Sequence, residues 1–499
     1  MSSPTPAKLS FREKAGYGLG DAATNFFFMS MIFYQPRFYT DVVGISTSAV
    51  GWLFFMIRWV DAIFDPVVGA LSDRTNTRWG KFRPWILFTG IPFGVIFWLA
   101  YTVPSFGGTG KLIYVTITYL LLMMVYSANN TPYSALTGVM TSDPSERTSI
   151  STYRLTCGII GQLIIQALAL PLVDKLGAGD QARGWSMTIG IFAGAMIVFN
   201  LVTFSVTKER VQPNPRQKTS LKSDLVDVFT CRPWIVLFFA TLFIFTTLAL
   251  RGGAFNYYFT YYLNQGKVVE FVDKIGLAAV GAGEPTWWKS FLNLFGLLVK
   301  PDGSNAAGVG YSLFNMTGTI IQIGGILCSK TLADRFGKRN VFLVGLGATT
   351  IVTASFFFVS PDAISTTFVL SALWGLCYGP TVPLLWAMIA DVPDYAEWKT
   401  TRRATGFAYA GIVFALKAGL GLGGALGGWF LNGYGYVANA TQTQHALLGI
   451  RLSATIFSAI PFLLAVLFLA AYPITKELAL RIRDELAERR AKYVANPAV

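Results

Sequence analysis

The chain has 499 residues, 53% hydrophobic and 15% aromatic, with only 13% charged. A soluble domain carries about 25% charge, so a chain this poor in charge cannot cover a water-facing surface and most of it is expected to face lipid. One histidine, His445, and four scattered cysteines give no basis for zinc chemistry, histidine acid–base catalysis or a disulfide framework. The net charge of +14 falls in short loops, as the positive-inside rule describes, and not in a stripe suited to nucleic acid.

Apolar runs long enough to cross about 30 Å of hydrocarbon are read at 15–40, 47–71, 84–104, 112–140, 149–173, 185–206, 233–263, 308–332, 340–359, 363–391, 404–432 and 446–472. The polar start of the chain lacks the apolar core of a signal peptide, so the first run is expected to stay as a helix. Basic residues collect in alternate loops and at both ends. Both termini are therefore expected in the cytoplasm, which requires an even number of crossings, and twelve fits.

In chain order, the first run carries Asp21 behind Gly16-Tyr17-Gly18-Leu19-Gly20, with Asn25 one turn later. The second carries Arg58, Asp61 and Asp65, whose spacings of three and four put them on one helix face. Charges inside a membrane helix are costly and by default mark a pathway. Two carboxylates one turn apart do not both ionise comfortably, so a proton or a cation between them is expected. A structural Arg58–Asp61 pair is the plainer alternative. The fourth run has Asn129, Asn130 and Thr131 before Pro132, a set that suits a polyol ligand or, more plainly, amide bonds between helices. Arg154 opens the fifth.

Residues 207–232 read as a cytoplasmic linker between two six-helix bundles, 1–206 and 233–475. In the seventh run Arg251 lies near an end and is expected to snorkel. Its neighbours Phe255, Tyr257, Tyr258, Tyr261 and Tyr262, with Trp374 and Trp386, can stack on sugar rings or form aromatic belts. Residues 264–307 make a long outward loop in which Trp287, Trp288, Phe291, Leu294, Phe295 and Leu298 recur near helical spacing. That pattern fits an interfacial helix or a loop packed over the pore mouth. Lys417 lies between Phe414 and a glycine-rich run, Gly419 to Gly428, and a lysine this deep in an apolar helix points to function. The tail, 476–499, reads as an amphipathic helix with a solvated cytoplasmic face.

An internal repeat runs through the chain. Ser72-Asp73-Arg74 followed by Arg78-Trp79-Gly80-Lys81-Phe82-Arg83 after helix two is echoed by Ala333-Asp334-Arg335-Phe336-Gly337-Lys338-Arg339 after helix eight. Pro132, then Asp143 and Glu146, is echoed by Pro383, then Asp394 and Glu397. This is a six-plus-six duplication. The Asp73–Arg74 and Asp334–Arg335 loops, with Asp143, Glu146, Asp394 and Glu397, are expected to cap helix ends and form a cytoplasmic charge network that breaks and reforms during gating.

Several motifs together resemble one family. They are Gly16 to Asp21, Phe38-Tyr39-Thr40-Asp41-Val42-Val43-Gly44-Ile45-Ser46, Asp61-Ala62-Ile63-Phe64-Asp65-Pro66, Arg78 to Trp85, and Ala390-Asp391-Val392-Pro393-Asp394-Tyr395. From about residue 11 to 475 the chain resembles the glycoside–pentoside–hexuronide:cation symporters of the major facilitator superfamily. The resemblance implies an all-α membrane protein of twelve transmembrane helices in two pseudo-symmetric bundles, working by alternating access in the bacterial inner membrane. It implies no enzyme activity and no cofactor, with sodium or proton as coupling ion, a small-molecule sugar or glycoside as substrate, membrane lipid and no nucleic acid as partners, and a monomer. Asp61 and Asp65 match the cation-binding aspartates, Arg154 an arginine near the sugar, and Lys417 the lysine of helix eleven. Asp21, Asn25, Arg58, Asn130 and Trp386 complete the expected substrate site. Asn25 and Asn130 stand where the family pattern has aspartates. The site is thus less negative, and an anionic hexuronide is expected to be tolerated. Lysophospholipids, carried by distant relatives, are the alternative cargo.

Overall fold

The computed structural model describes residues 9–141, 143–210, 230–277, 287–400 and 405–495. Most of the expected linker, part of the loop 264–307, the end of the tail and the side chain of Asp73 lie outside the described residues.

The described chain is helical. Its long elements are α1 (Phe11–Phe33), α2 (Thr47–Arg74), α3 (Arg83–Ala100), α4 (Gly108–Met140), α5 (Pro144–Gly177), α6 (Gln181–Val206) and α7 (Arg232–Tyr257). They continue with α8 (Ala306–Phe336), α9 (Lys338–Ser355), α10 in two pieces (Ile364–Tyr378 and Thr381–Thr400), α11 (Thr405–Gly433), α12 in two pieces (Gln444–Ala454 and Ile456–Ala470) and α13 (Lys476–Ala495). Among the described residues ten helices are long and apolar enough to cross a membrane, and the chain is a multi-pass membrane protein. Of the twelve expected crossings, α1 and α2 fall outside that set. At 23 and 28 residues they are long enough, since 1.5 Å per residue gives about 35 Å or more. What lowers their hydropathy is charge: Arg12, Glu13, Lys14 and Asp21 on α1, and Arg58, Asp61 and Asp65 on α2.

By internal contacts the chain divides into two compact units. The first joins Met1–Arg216 with Gly252–Met316 and Gly424–Ile450; the second joins Gln217–Arg251, Thr317–Gly423 and Arg451–Val499.

In the first unit the glycine run explains how α1 sits among its neighbours. A Cβ at Gly16 would strike Val206 of α6, one at Gly18 would strike Cys157 and Tyr153 of α5, and one at Gly20 would strike Tyr133 of α4. Steps of two residues turn a helix by roughly 200°, so Gly18 opens one face to α5 while Gly16 and Gly20, one turn apart, open the roughly opposite face to α6 and α4. Small residues permit such approach in membranes, where lipid gives no hydrophobic drive between helices. Gly161 of α5 returns the contact against Ala22. The end of α1 continues through Gln35–Arg37 into a π-turn, Phe38–Val43, stopped by Gly44 at φ +85°.

On the terminal side of this unit, the Glu209 carboxylate accepts the backbone N–H groups of Lys81, Phe82 and Arg83 at 2.8, 2.8 and 3.0 Å. It thereby satisfies orphan donors at the start of α3. Gly80, at φ +106°, leaves room for that carboxylate where any Cβ would collide with it. The start of α3 is thus capped by Glu209, from the other end of the bundle. Next to it Arg210 donates to both oxygens of Glu13 at 2.6 and 2.9 Å, which raises the guanidinium pKa.

The second unit packs α7, α9, α10 and α12 around Leu237, Phe342, Trp374, Met388 and Phe462. Gly318 and Gly325 of α8 meet Gly375 and Gly379 of α10 at backbone distance. The tail helix is not a fully solvated face: Ile482 and Leu486 are buried, and Trp398 Nε1 donates to Glu485 at 2.6 Å.

Candidate functional site

The polar interior of the first unit is built on α1, α2, α4 and α5. Asp61 is fully buried; it accepts from Ser127 Oγ at 2.6 Å and from Arg58 Nη1 at 3.4 Å. One turn along, Asp65 accepts from Thr131 Oγ1 at 3.4 Å. Asp61 and Asp65 are four residues apart, as are Ser127 and Thr131, so two helices present matching rungs of carboxylate and hydroxyl. Sequence reasoning missed Ser127 and grouped Thr131 with the neighbouring asparagines instead of with Asp65, though that shared spacing was the signal for both. The Arg58–Asp61 pair offered as the plainer alternative does form, together with the Ser127 bond.

A second group lies on α1 and α5. Arg154 binds Asp21 in a two-pronged fork, Nε to Oδ2 at 3.2 Å and Nη2 to Oδ1 at 3.1 Å, with both side chains about one-fifth exposed. Its guanidinium stands over the Tyr133 ring at 4.8 Å and near the Tyr17 ring at 5.6 Å. Those rings stack at 4.6 Å, and each phenol donates to the other residue's backbone carbonyl, at 2.6 and 2.7 Å. Asn25 Nδ2 donates to the Asp21 carbonyl at 2.8 Å. Asn130 donates to the Tyr126 hydroxyl at 3.3 Å. Asn129, by contrast, holds Thr89 on α3 at 2.9 Å, as an interhelical amide does.

Lys417 and Trp386 belong to the second unit, the lysine buried and the tryptophan 40% exposed. Other aromatic residues expected at the sugar are used elsewhere. Trp374 packs under Arg251 at 4.3 Å, and that arginine is buried, not snorkelled to a surface. Phe255 stacks on Phe314 at 4.9 Å.

Tyr257 and Tyr261 join a cluster that the sequence did not reveal, on the side of the first unit where α1 ends, the far side. Asp41 lies in the motif that follows the first run. It is buried in the π-turn and accepts from Arg37 at 3.2 Å, Thr40 at 2.8 Å, Tyr261 at 2.9 Å and Tyr436 at 2.7 Å. Asn439 donates to the Asp41 carbonyl at 2.6 Å, and Arg37 donates to Asn256 at 2.9 Å. Burial first, and then the Asp41 charge, push the Tyr436 phenol well above its ordinary pKa, which keeps it a donor.

The expected gating residues hold mostly local partners. Glu146 binds Leu9 N–H and Lys14 Nζ, both at 3.0 Å, within the first unit. Asp143 is half-buried and Arg74 exposed. In the second unit Lys338 binds Asp391 at 2.7 Å, and Lys476 donates to the Asp334 carbonyl at 2.6 Å. Arg335 lies exposed over Phe336, while Asp394 and Glu397 are half-buried on α10.

Membrane-crossing helices with ionisable and amide side chains turned inward are what a solute pathway through a bilayer requires. The chain belongs to the family described as MFS/sugar transport protein, whose model matches residues 16–290 and 304–476. It is 34% identical over 486 residues to the inner membrane symporter YicJ of Escherichia coli, covering 97% of this chain and 96% of that one. It is 32% identical over 469 residues to the isoprimeverose transporter of Lactiplantibacillus pentosus, covering 93% and 89%. The D-xylose–proton symporter structure superposes with a TM-score of 0.62 at 14% identity, over 93% of this chain and 98% of that one, a likeness that shows the major facilitator fold.

Proposed function

We propose that the chain is a cation-coupled symporter that carries a neutral sugar or glycoside across the bacterial inner membrane by alternating access of two six-helix halves, 1–206 and 233–475, with both termini in the cytoplasm. The observation that carries this reading is the α2–α4 ladder, Asp61 with Ser127 and Asp65 with Thr131. Two carboxylates and two hydroxyls offer the hard oxygen donors that a sodium ion needs, whereas a proton needs one carboxylate. Kinship with a symporter and with an isoprimeverose transporter adds support.

Sugar recognition is assigned to the Asp21–Arg154 fork, Asn25 and Asn130, which together present donors and acceptors to hydroxyl groups. Arg58, Lys417 and Trp386 remain further candidates. The charges favour a neutral cargo: each arginine of this interior already faces a carboxylate, Arg58 with Asp61 and Arg154 with Asp21. A hexuronide would have to displace Asp21 from Arg154. On the far side, the Asp41 cluster supplies closure between the ends of α1, α7 and the α11–α12 turn; the charged residues of the two repeated loops are assigned to closure at the other side.

The decisive experiment is a panel of sugars in proteoliposomes, with sodium and proton gradients imposed separately. Accumulation of a neutral glycoside under one gradient, lost in Asp61→Asn and Asp65→Asn, is the expected result. Accumulation that is indifferent to both gradients, or undiminished in both variants, overturns the coupling site.

A further inference from the structure

Between α7 and α8 the chain forms two short helices, Gln265–Lys274 and Trp287–Leu294. The second exposes Trp287 (81%), Phe291 (57%) and Leu294 (62%), three residues spaced four and three apart and so on one face. This face is held out by a built scaffold. Lys175, in the last turn of α5, donates to the carbonyls of Asn293 and Leu294, and Lys300 pairs with Asp174 at 2.6 Å. Gly296, at φ +71°, lies directly on the Pro171 carbonyl. Behind it Leu298 and Val299 are buried, and Val299 N–H bonds the Leu277 carbonyl at 3.0 Å.

We infer that Trp287–Leu294 is a membrane-surface helix that seats Trp287, Phe291 and Leu294 in the headgroup–acyl boundary of the far-side leaflet. Depth is the first reason. Pro171 lies six residues inside the end of α5, so Gly296 touches that helix about 9 Å below its tip at 1.5 Å per residue. Apolar faces of interfacial helices bury to about 5–10 Å. Chemistry is the second. Tryptophan is enriched at this level because its ring is apolar and its N–H polar, and Lys289, over the Trp288 ring at 5.6 Å, adds a cation on the adjoining face. A lid over an aqueous mouth would turn this apolar face inward, and the structure turns it outward. The occupant is the bilayer surface, and the inference is independent of cargo and coupling ion.

The test uses the full chain in proteoliposomes with the four native cysteines replaced and single cysteines introduced by Phe291→Cys or, on the exposed α11–α12 turn, Ala440→Cys. Each is labelled with an environment-sensitive fluorophore. The label at 291 is expected to be quenched by lipid carrying a nitroxide near the headgroup and several-fold less by aqueous iodide than the label at 440. Equal iodide quenching at both positions would show a water-facing lid. Efficient cross-linking of position 291 between two copies would show a protein interface. Either result overturns the inference. Trp287→Asp supplies a second measure: it should lower thermal stability more in lipid than in detergent micelles, and an equal loss in both counts against membrane seating.

Discussion

Two buried aspartates in the first unit each stand beside an arginine of their own helix or turn, Asp61 with Arg58 and Asp41 with Arg37, at 3.4 and 3.2 Å. Their surroundings differ in origin. The donors to Asp41 come from three stretches of chain far apart in sequence, around residues 37–41, 261 and 436, and two of them are phenols from other elements. An ionised carboxylate accepts about four hydrogen bonds, so this one is filled. Asp61 instead takes its shortest bond from Ser127, and Asp65 repeats the arrangement with Thr131 at the longer distance of 3.4 Å. A hydroxyl both donates and accepts, so it can swing a lone pair toward an arriving cation while its carboxylate does the same. Saturation by distant segments suits a clasp; a ladder of hydroxyls and acids suits an exchangeable seat.

Substitutions break the contrast in graded steps. Asp61→Asn should abolish gradient-driven accumulation, a loss of roughly 100-fold or more if the ion site is as costly to neutralise as other buried charge sites, while membrane content on immunoblot stays unchanged. Retained accumulation would remove Asp61 from the coupling step. Ser127→Ala should weaken the activating ion by roughly 10- to 100-fold, since a hydrogen bond to a charged group contributes about 1.5–3 kcal/mol. Thr131→Ala, with its longer bond, should cost less, and ion titration of uptake gives the ranking.

Tyr436→Phe should leave ion affinity alone and loosen the clasp, shifting the far side toward open by about tenfold on the same hydrogen-bond scale. Gly253→Cys, buried beside Pro36 with ordinary spacing, reports this as faster labelling by an impermeant maleimide. A change in ion affinity without a change in labelling would mean that the two regions had been assigned the wrong way round. The smallest effect expected is a change in selectivity. Asp21→Asn frees Arg154 of its carboxylate and should raise uptake of a hexuronide relative to its neutral glycoside by a few-fold. Competition assays with the matched pair measure it, and a fall in that ratio would argue that Arg154 does not contact the uronate.

How far the site was legible depended on what each residue costs to bury. Asp61, Asp65, Arg58, Asp21, Arg154 and Lys417 stood out because a charge in an apolar run needs a reason. The same charges keep α1 and α2 out of the set of plainly hydrophobic crossings, so the helices least like membrane spans in composition carry most of the candidate site. Ser127 was passed over, and Thr131 was not matched to an acid, because hydroxyls are cheap in membrane helices and commonly bond their own backbone. Glu209 and Tyr436 gave no local signal, since each serves a partner more than a hundred residues away in the chain. The tyrosines after Arg251 were visible as a group, yet the partners of two of them, Asp41 for Tyr261 and Thr40 for Tyr257, were not.

The sequence by itself determined that this is a many-helix membrane carrier of the sugar-transport family, because hydropathy, loop charge and repeated motifs are properties of the chain read in order. Only the tertiary structure decided which acid meets which hydroxyl, which arginine is already engaged, and which aspartate is saturated by donors from distant segments. Those outcomes depend on how helices distant in sequence are rotated and brought to within about 3 Å, the distance over which a hydrogen bond acts and beyond which it fades. No pattern along one helix fixes that rotation.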